Sequence, residues 1–182
     1  MKKITLVIAL CLSICSAQAS VIYGIVTKVS DGDTIWVRAD GGQKIKVRLF
    51  AIDAPEKDQS HGQYCQRNLQ SYIYKQSVKV VTNGNDQYGR VVGTVVLGGG
   101  NVNLQQIMDG CAWVYGQYAK ELPDDILDVY YEAENQAREN KKGLWENNDA
   151  IAPWRWRKGQ RQPSKEDGVV VKAIKELQNY LF

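Results

Sequence analysis

Apolar and polar residues alternate along residues 44–52. Ile45, Val47 and Leu49 fall on one face, and Lys46, Arg48 and Phe50 on the other, a period of two that predicts a strand with one buried side. Two further β-rich stretches precede it, 21–30 with Gly24 as a bend and 34–38. Turn signals at Asp31-Gly32-Asp33 and Asp40-Gly41-Gly42 separate the three, so the N-terminal half reads as a three-strand meander. The period then changes. Residues 59–75 carry Cys65, Leu69, Tyr72 and Ile73 at helical spacing. Strands are predicted at 77–82 and 90–97, with the turn 83–89 between them. A glycine-rich turn at 98–101 leads to a short helix over 102–109 that ends at Gly110. A longer helix starts near Pro123 with Asp124 and Asp125 in its first turn, buries Ile126, Tyr130, Ala133 and Ala137, and stops at Gly143. The order β-β-β-α-β-β-α-α, with short and closely spaced strands, predicts a mainly β protein with helices (α+β) built on a small antiparallel barrel.

The ends add a leader and a tail. Met1-Lys2-Lys3, an apolar run from Ile4 to Ile14 and Ala17-Gln18-Ala19 form the basic, hydrophobic and small-residue regions of a signal peptide. The run is short for a membrane anchor, so residues 1–19 read as a removed leader. Residues 20–159 then form one domain, and 160–182 a polar tail with a possible short helix at 169–181. The expected location is periplasmic or secreted, with no membrane contact after cleavage. Loss of Lys2 and Lys3 lowers the formal charge from +3 to +1. Net charge therefore says little about polyanionic partners, and any positive face must come from local arrangement.

Two of the four cysteines, Cys11 and Cys15, lie in the leader. Cys65 and Cys111 remain, an even number that favours a disulfide in an exported chain over two buried thiols. One histidine, His61, and no paired Cys-x-x-Cys argue against zinc.

The chemistry concentrates in turns and strand ends. Asp31, Asp33 and Asp53 offer hard oxygens of the kind that hold Ca²⁺ or Mg²⁺. Few protein ligands would leave room for water and a phosphate oxygen. Glu56, just beyond Pro55, could accept a proton from a water beside such an ion. Arg48 and Arg90 present guanidinium forks suited to a phosphate. Tyr88, Tyr115 and Tyr118 could stack on bases. Taken singly these are ordinary residues: Asp-Gly-Asp is a common turn, Glu56 an exposed loop residue, Arg48 part of a solvated sheet face. Trp154 and Trp156 alternate with Arg155 and Arg157. They read either as an aromatic-basic patch or, preferred, as tryptophans that pin the C-terminal part to the domain.

The motifs Asp31-Gly32-Asp33-Thr34, Arg48-Leu49-x-x-Ile52-Asp53-x-Pro55-Glu56 and Tyr88-Gly89-Arg90, in this order and spacing, resemble those of the staphylococcal nuclease family over about residues 21–145. The resemblance implies a five-stranded OB-fold barrel with three packed helices. It implies Ca²⁺-dependent, monomeric cleavage of both DNA and RNA to 3′-phosphate ends. Carried over by motif, Asp33, Asp53 and the backbone carbonyl of Ala54 hold calcium, and Asp31 stands behind them. Glu56 is the general base, Arg48 and Arg90 bind phosphate, and Tyr88 belongs to the Tyr-Gly-Arg turn. Tyr118 fits one nucleotide-contacting tyrosine; Gly116 falls where the other would stand, with Tyr115 beside it. Gly143-Leu144-Trp145 and Pro153-Trp154-Arg155-Trp156-Arg157 resemble exported Gram-negative members. By family geometry a Cys65–Cys111 bond would join the first helix to the segment after the second, closing a loop of about 45 residues worth about 4 kcal/mol. Two other readings stand beside the nuclease: a noncatalytic oligonucleotide-binding module on the same barrel, and a structural domain of the cell envelope.

Overall fold

The computed structural model describes residues 20–147 and 149–161. The leader expected at 1–19 and the helix expected at 169–181 lie outside the described residues. Strand β1 (Val21–Asp31) pairs antiparallel with β2 (Thr34–Ala39), and β2 with β3 (Lys44–Leu49). After a two-residue strand β4 (Ile52–Asp53) and helix α1 (Gly62–Ile73), β5 (Ser77–Asn85) returns to the free edge of β1 and forms a hairpin with β6 (Val91–Leu97). A parallel pairing of β3 with β6, Val47 opposite Val91 and Leu49 opposite Gly93, closes the ring. The result is a closed five-strand barrel of the OB type, β3-β2-β1-β5-β6 and back to β3. Closure leaves these strands without a free edge, the usual hazard of a small sheet.

The rest of the chain packs around this ring. Strand β7 (Gly100–Asn101) folds back antiparallel on the end of β6, and α2 (Val102–Met108) follows it directly, its N-terminus capped by the Asn101 side chain accepting from the Leu104 amide. Strand β8 (Trp113–Val114) pairs with β4. Two single-turn helices, α3 (Gly116–Ala119) and α5 (Pro153–Trp156), flank the long α4 (Asp124–Glu139) and a 3₁₀ turn at Gly143–Trp145. The three packed helices expected are α1, α2 and α4.

The core follows the sequence periodicity. Val26, Ile35, Val37, Val47, Leu49, Val80 and Val95 fill the barrel, and Leu69, Ile73, Ile107 and Tyr130 seal it from the helices. Each such side chain contributes roughly 1.5–3 kcal/mol by leaving water. Three expectations change. Phe50 does not share the Arg48 face: β3 ends at Leu49, Ala51 takes a left-handed backbone (φ 64°), and Phe50 turns into the core with its amide bonded to the Gly93 carbonyl. Gly24 is not a bend. It lies in register inside β1, where a Cβ would sit 2.3 Å from the Arg38 carbonyl oxygen; the strand's irregularities fall at 26–28 and 29–31 instead. Ile126 remains exposed, because the buried face of α4 is set by Tyr130, Ala133, Glu134 and Ala137. Among the described residues no helix is long and apolar enough to cross a membrane.

Candidate active site

Three chain reversals at one end of the barrel build a single cleft of about 560 Å³. The β1–β2 turn brings Asp31 and Asp33. The corner from β3 into β4 brings Arg48, Asp53, Ala54 and Glu56. The β5–β6 hairpin brings Tyr88 and Arg90, and the segment after β8 adds Tyr115 and Tyr118. All the side chains singled out from the sequence as catalytic, ion-holding or base-contacting therefore line one cavity.

Register fixes the first pair. Thr34 lies directly opposite Arg48 in the β2–β3 ladder, and the Leu49 amide bonds to the Asp33 carbonyl at 2.8 Å. Arg48 thus lies beside the carboxylate of Asp33, with Nη1 2.6 Å from Oδ2. Its other arm, Nη2, donates to Asp53 Oδ1 at 2.6 Å. The Nη1 contact is an ion contact without hydrogen-bond alignment, so this buried nitrogen keeps an unused donor. Asp33 is held further by the Ala54 amide at 2.6 Å and the Thr34 hydroxyl at 3.0 Å. Asp31 accepts from the Asp33 amide at 3.2 Å.

The electrostatics match this crowding. Burial, and then the neighbouring charge of Asp33, push the Asp31 carboxyl up to about 7. Burial also raises Asp53, against the pull of Arg48. For Arg48, burial works to lower its affinity for the proton, but Asp33, Asp53 and Asp31 outweigh it, so the guanidinium stays charged.

Glu56 is positioned by the start of α1. Its amide donates to the Gln59 side chain at 3.1 Å, and its carbonyl accepts from the Gln59 amide at 3.0 Å. Gly62 lets the helix approach this turn, since a Cβ there would lie 1.8 Å from the Glu56 carbonyl oxygen. Arg90 is organised by Asp86, which accepts from its backbone amide at 3.0 Å and from its Nε at 2.5 Å, and from the Tyr88 amide at 2.9 Å. Those bonds hold the Asp86 carboxyl below its usual range despite the opposing effect of burial. Tyr88 stands exposed over the cleft with the Arg90 guanidinium 5.4 Å from its ring centre. Tyr115 and Tyr118 meet edge to face at 5.3 Å.

Arg157 was not singled out as a site residue from the sequence. Its Nη2 donates to Asp53 Oδ2 at 2.9 Å and its Nη1 to Glu56 Oε1 at 2.7 Å. Its only sequence signal is the Trp-Arg alternation, which does not say where the arginines point. The tryptophans of that motif behave as pins: Trp154 packs on Tyr115 and Trp113, and the Trp156 indole donates to Asp58 at 3.3 Å.

Among the described residues no three His, Cys, Asp or Glu side chains converge as a self-contained metal centre. The cleft instead offers hard anionic oxygens in small number. Asp53 and Glu56 already share one cationic group, the Arg157 guanidinium, as a stand-in for an ion. Such a donor set fits a hard divalent cation that keeps positions for water and phosphate.

Residues 46–147 match the family described as staphylococcal nuclease homologue. The chain belongs to the staphylococcal nuclease family. Its relatives include a Haemophilus influenzae protein named an uncharacterized endonuclease, 36% identical over 150 residues that cover 82% of this chain and 80% of the relative. An uncharacterized endonuclease of Escherichia coli is 41% identical over 137 residues, 75% of this chain and 85% of its own. A micrococcal nuclease of Shigella flexneri is 37% identical over 147 residues, 76% and 82% respectively. As a staphylococcal nuclease family member the chain is a nuclease, a hydrolase whose substrates are nucleic acids.

The cysteine pair is close to this site. Cys65 and Cys111 are both fully buried and side by side, in contact close enough for one thiol to hydrogen-bond the other. Gly32, in the turn that carries Asp31 and Asp33, packs on Cys65: a Cβ there would lie 3.2 Å from that of Cys65.

Proposed function

We propose that the protein is a calcium-dependent, sugar-nonspecific nuclease that hydrolyses DNA and RNA to 3′-phosphate ends. It acts as a monomer in the periplasm or outside the cell, with residues 1–19 as its leader and 20–159 as its domain. The observation that carries the chemistry is the junction of Asp33, Asp53, Glu56 and two arginine forks in one cleft. Asp33, Asp53 and the Ala54 carbonyl hold the ion, with Asp31 behind them. When bound, the ion supplies Lewis-acid neutralisation of the phosphate charge.

The protein's own groups do the rest. Glu56 takes a proton from the water that attacks phosphorus in line with the 5′ oxygen. That P–O bond breaks, the phosphate stays on the 3′ side, and the 5′ oxygen leaves with a proton from solvent. Arg48 and Arg90 donate to the equatorial oxygens as negative charge accumulates there. Tyr88, Tyr115 and Tyr118 offer ring faces to the flanking nucleotides.

The test is hydrolysis of DNA and of RNA by the purified protein with Ca²⁺ and with a calcium chelator, beside a Glu56→Gln/Arg90→Ala variant. Cleavage of both polymers that needs Ca²⁺ and vanishes in the variant is the expected result. Cleavage that persists in the chelator would remove the calcium assignment.

A further inference from the structure

The cleft holds a third arginine, and it comes from outside the barrel. Arg157 follows α5, the last turn of a segment that crosses from α4 back to the mouth of the cleft. That segment is anchored independently of Arg157. Trp154 rests on the Tyr115 ring at 5.5 Å, and the Gln59 amide bonds to the Ile151 carbonyl. The anchoring delivers the guanidinium to a defined place, while the side chain itself remains 43% exposed.

Its partners are the informative part. Both oxygens of Asp53 are engaged by guanidinium groups: Oδ1 by Arg48 at 2.6 Å and by Arg157 at 3.3 Å, Oδ2 by Arg157 at 2.9 Å. Glu56 completes the clasp at 2.7 Å. A cation that takes Asp53 Oδ2, the oxygen Arg48 leaves untouched, competes with Arg157 for it and repels the guanidinium as a like charge. Once displaced, the guanidinium stands charged in a cavity that must accept a polyanion, with donors in the planar fork that suits a phosphate.

We propose that Arg157 is a further phosphate-binding residue of this nuclease, parked on Asp53 and Glu56 until a divalent cation claims Asp53, and then turned to the phosphodiester. The inference rests on the calcium reading above. It assigns the segment after α4 a part in the site and gives substrate and cation a linked entry: cation binding frees the donor that the substrate uses. By linkage, the parked ion pair must also weaken cation binding in the absence of substrate.

Calorimetric titration of Ca²⁺ into the purified protein without nucleic acid tests the first half. Arg157→Ala and Arg157→Gln are expected to bind Ca²⁺ about two- to fivefold more tightly than the wild type, the size of an exposed ion pair released. Steady-state cleavage of a single-stranded DNA oligonucleotide at saturating Ca²⁺ tests the second. KM is expected to rise about tenfold, as for the loss of one charge-assisted contact, with kcat within about threefold and partial rescue by Arg157→Lys. Equal Ca²⁺ affinity in wild type and variants would overturn this inference and leave the calcium reading intact. A fall in kcat at constant KM would also overturn it, since that marks a residue that only orients Glu56. No Ca²⁺ binding to any of the proteins would overturn both.

Discussion

Asp33 and Asp53 lie twenty residues apart in sequence, on different elements, and are clamped by a single guanidinium: Arg48 reaches Asp33 Oδ2 and Asp53 Oδ1 at 2.6 Å each. Both carboxylates are buried, Asp33 at 5% exposure and Asp53 at 1%. Without Arg48, Asp33 would lose its guanidinium partner and Asp53 would keep only Arg157. Arg48→Ala is therefore expected to destabilise the metal-free protein by about 3–5 kcal/mol, the range for breaking a buried pair. Arg48→Lys keeps the charge but not the fork, and should recover part of the stability and little of the turnover. Urea unfolding of the three proteins with a chelator present checks this; a loss under 1 kcal/mol in Arg48→Ala would mean that the clamp is not structural.

Glu56 differs from these aspartates in being reachable, with its side chain 39% exposed. The fold does not depend on its charge, while the proposed proton transfer does. Glu56→Gln should reduce turnover by about 10²–10⁴-fold, the usual contribution of a general base. Oligonucleotide affinity should stay level or tighten, because a negative charge leaves the cleft. Cleavage assays paired with fluorescence anisotropy separate the two effects. A variant within tenfold of wild-type turnover would remove Glu56 from the base role.

The Asp31 carboxyl provides a pH signature. Its ordinary value is 3.8, and the fold raises it to about 7. Between those values the folded state binds the proton that the unfolded state releases, so stability falls as pH rises through that window. Asp31→Asn keeps an oxygen acceptor for the Asp33 amide and has no charge to bury. In chelator, the variant should gain stability over the wild type steadily from about pH 4 to about pH 7, with a constant difference above. Denaturant unfolding at pH 5 and pH 8 measures the change, and an unchanged difference would refute the raised value.

Cys65 and Cys111 are in contact at the junction of α1 and the segment before β8. Hydrogen bonding to Cys111, and then burial, raise the Cys65 thiol, so the reduced pair resists alkylation while the protein is folded. Denaturation exposes the true state. Protein beginning at Ser20 and exported to an oxidising compartment should take up no alkyl group in denaturant alone and two after reduction. Reduction should lower stability by up to about 4 kcal/mol, from a loop of about 45 residues. Mass spectrometry decides it: two alkyl groups without reductant would establish free thiols.

The barrel and most of the cleft are readable from the chain because their determinants are local. Ile45, Val47 and Leu49 announce a buried face by alternation, and Asp31, Asp33 and Arg90 sit in turns whose residue types mark them. Phe50 escapes because a left-handed Ala51 breaks the alternation, and nothing in an alanine announces that backbone. Arg157 escapes for another reason. It meets Asp53 across 104 residues, through a segment whose course is set by Trp154 stacking on rings from β8 and beyond. Pairings of that separation depend on tertiary packing, which periodicity does not encode.

A last relationship links distant packing to the site. Gly110, after α2, and Gly143, after α4, meet backbone to backbone: a Cβ on Gly143 would lie 2.4 Å from the Gly110 carbonyl oxygen, and Gly143 has a φ of 51°. The Leu144 amide donates to that same carbonyl at 2.9 Å. This contact fixes the chain just before β8, and Trp113 of β8 is the register partner of Asp53 in β4. Gly143→Ala adds both left-handed strain and a clash against rigid backbone, so it should destabilise the protein by at least about 2 kcal/mol, or about 4–8 °C in Tm for a chain of this size. Gly41→Ala is the control, since a Cβ there meets nothing within 4 Å. Below its lowered Tm the Gly143→Ala protein should show weakened Ca²⁺ binding as well, because the β4–β8 pairing that presents Asp53 is loosened. A Gly143→Ala protein that melts with the Gly41→Ala control would show that the segments after α4 and α2 can part there without strain.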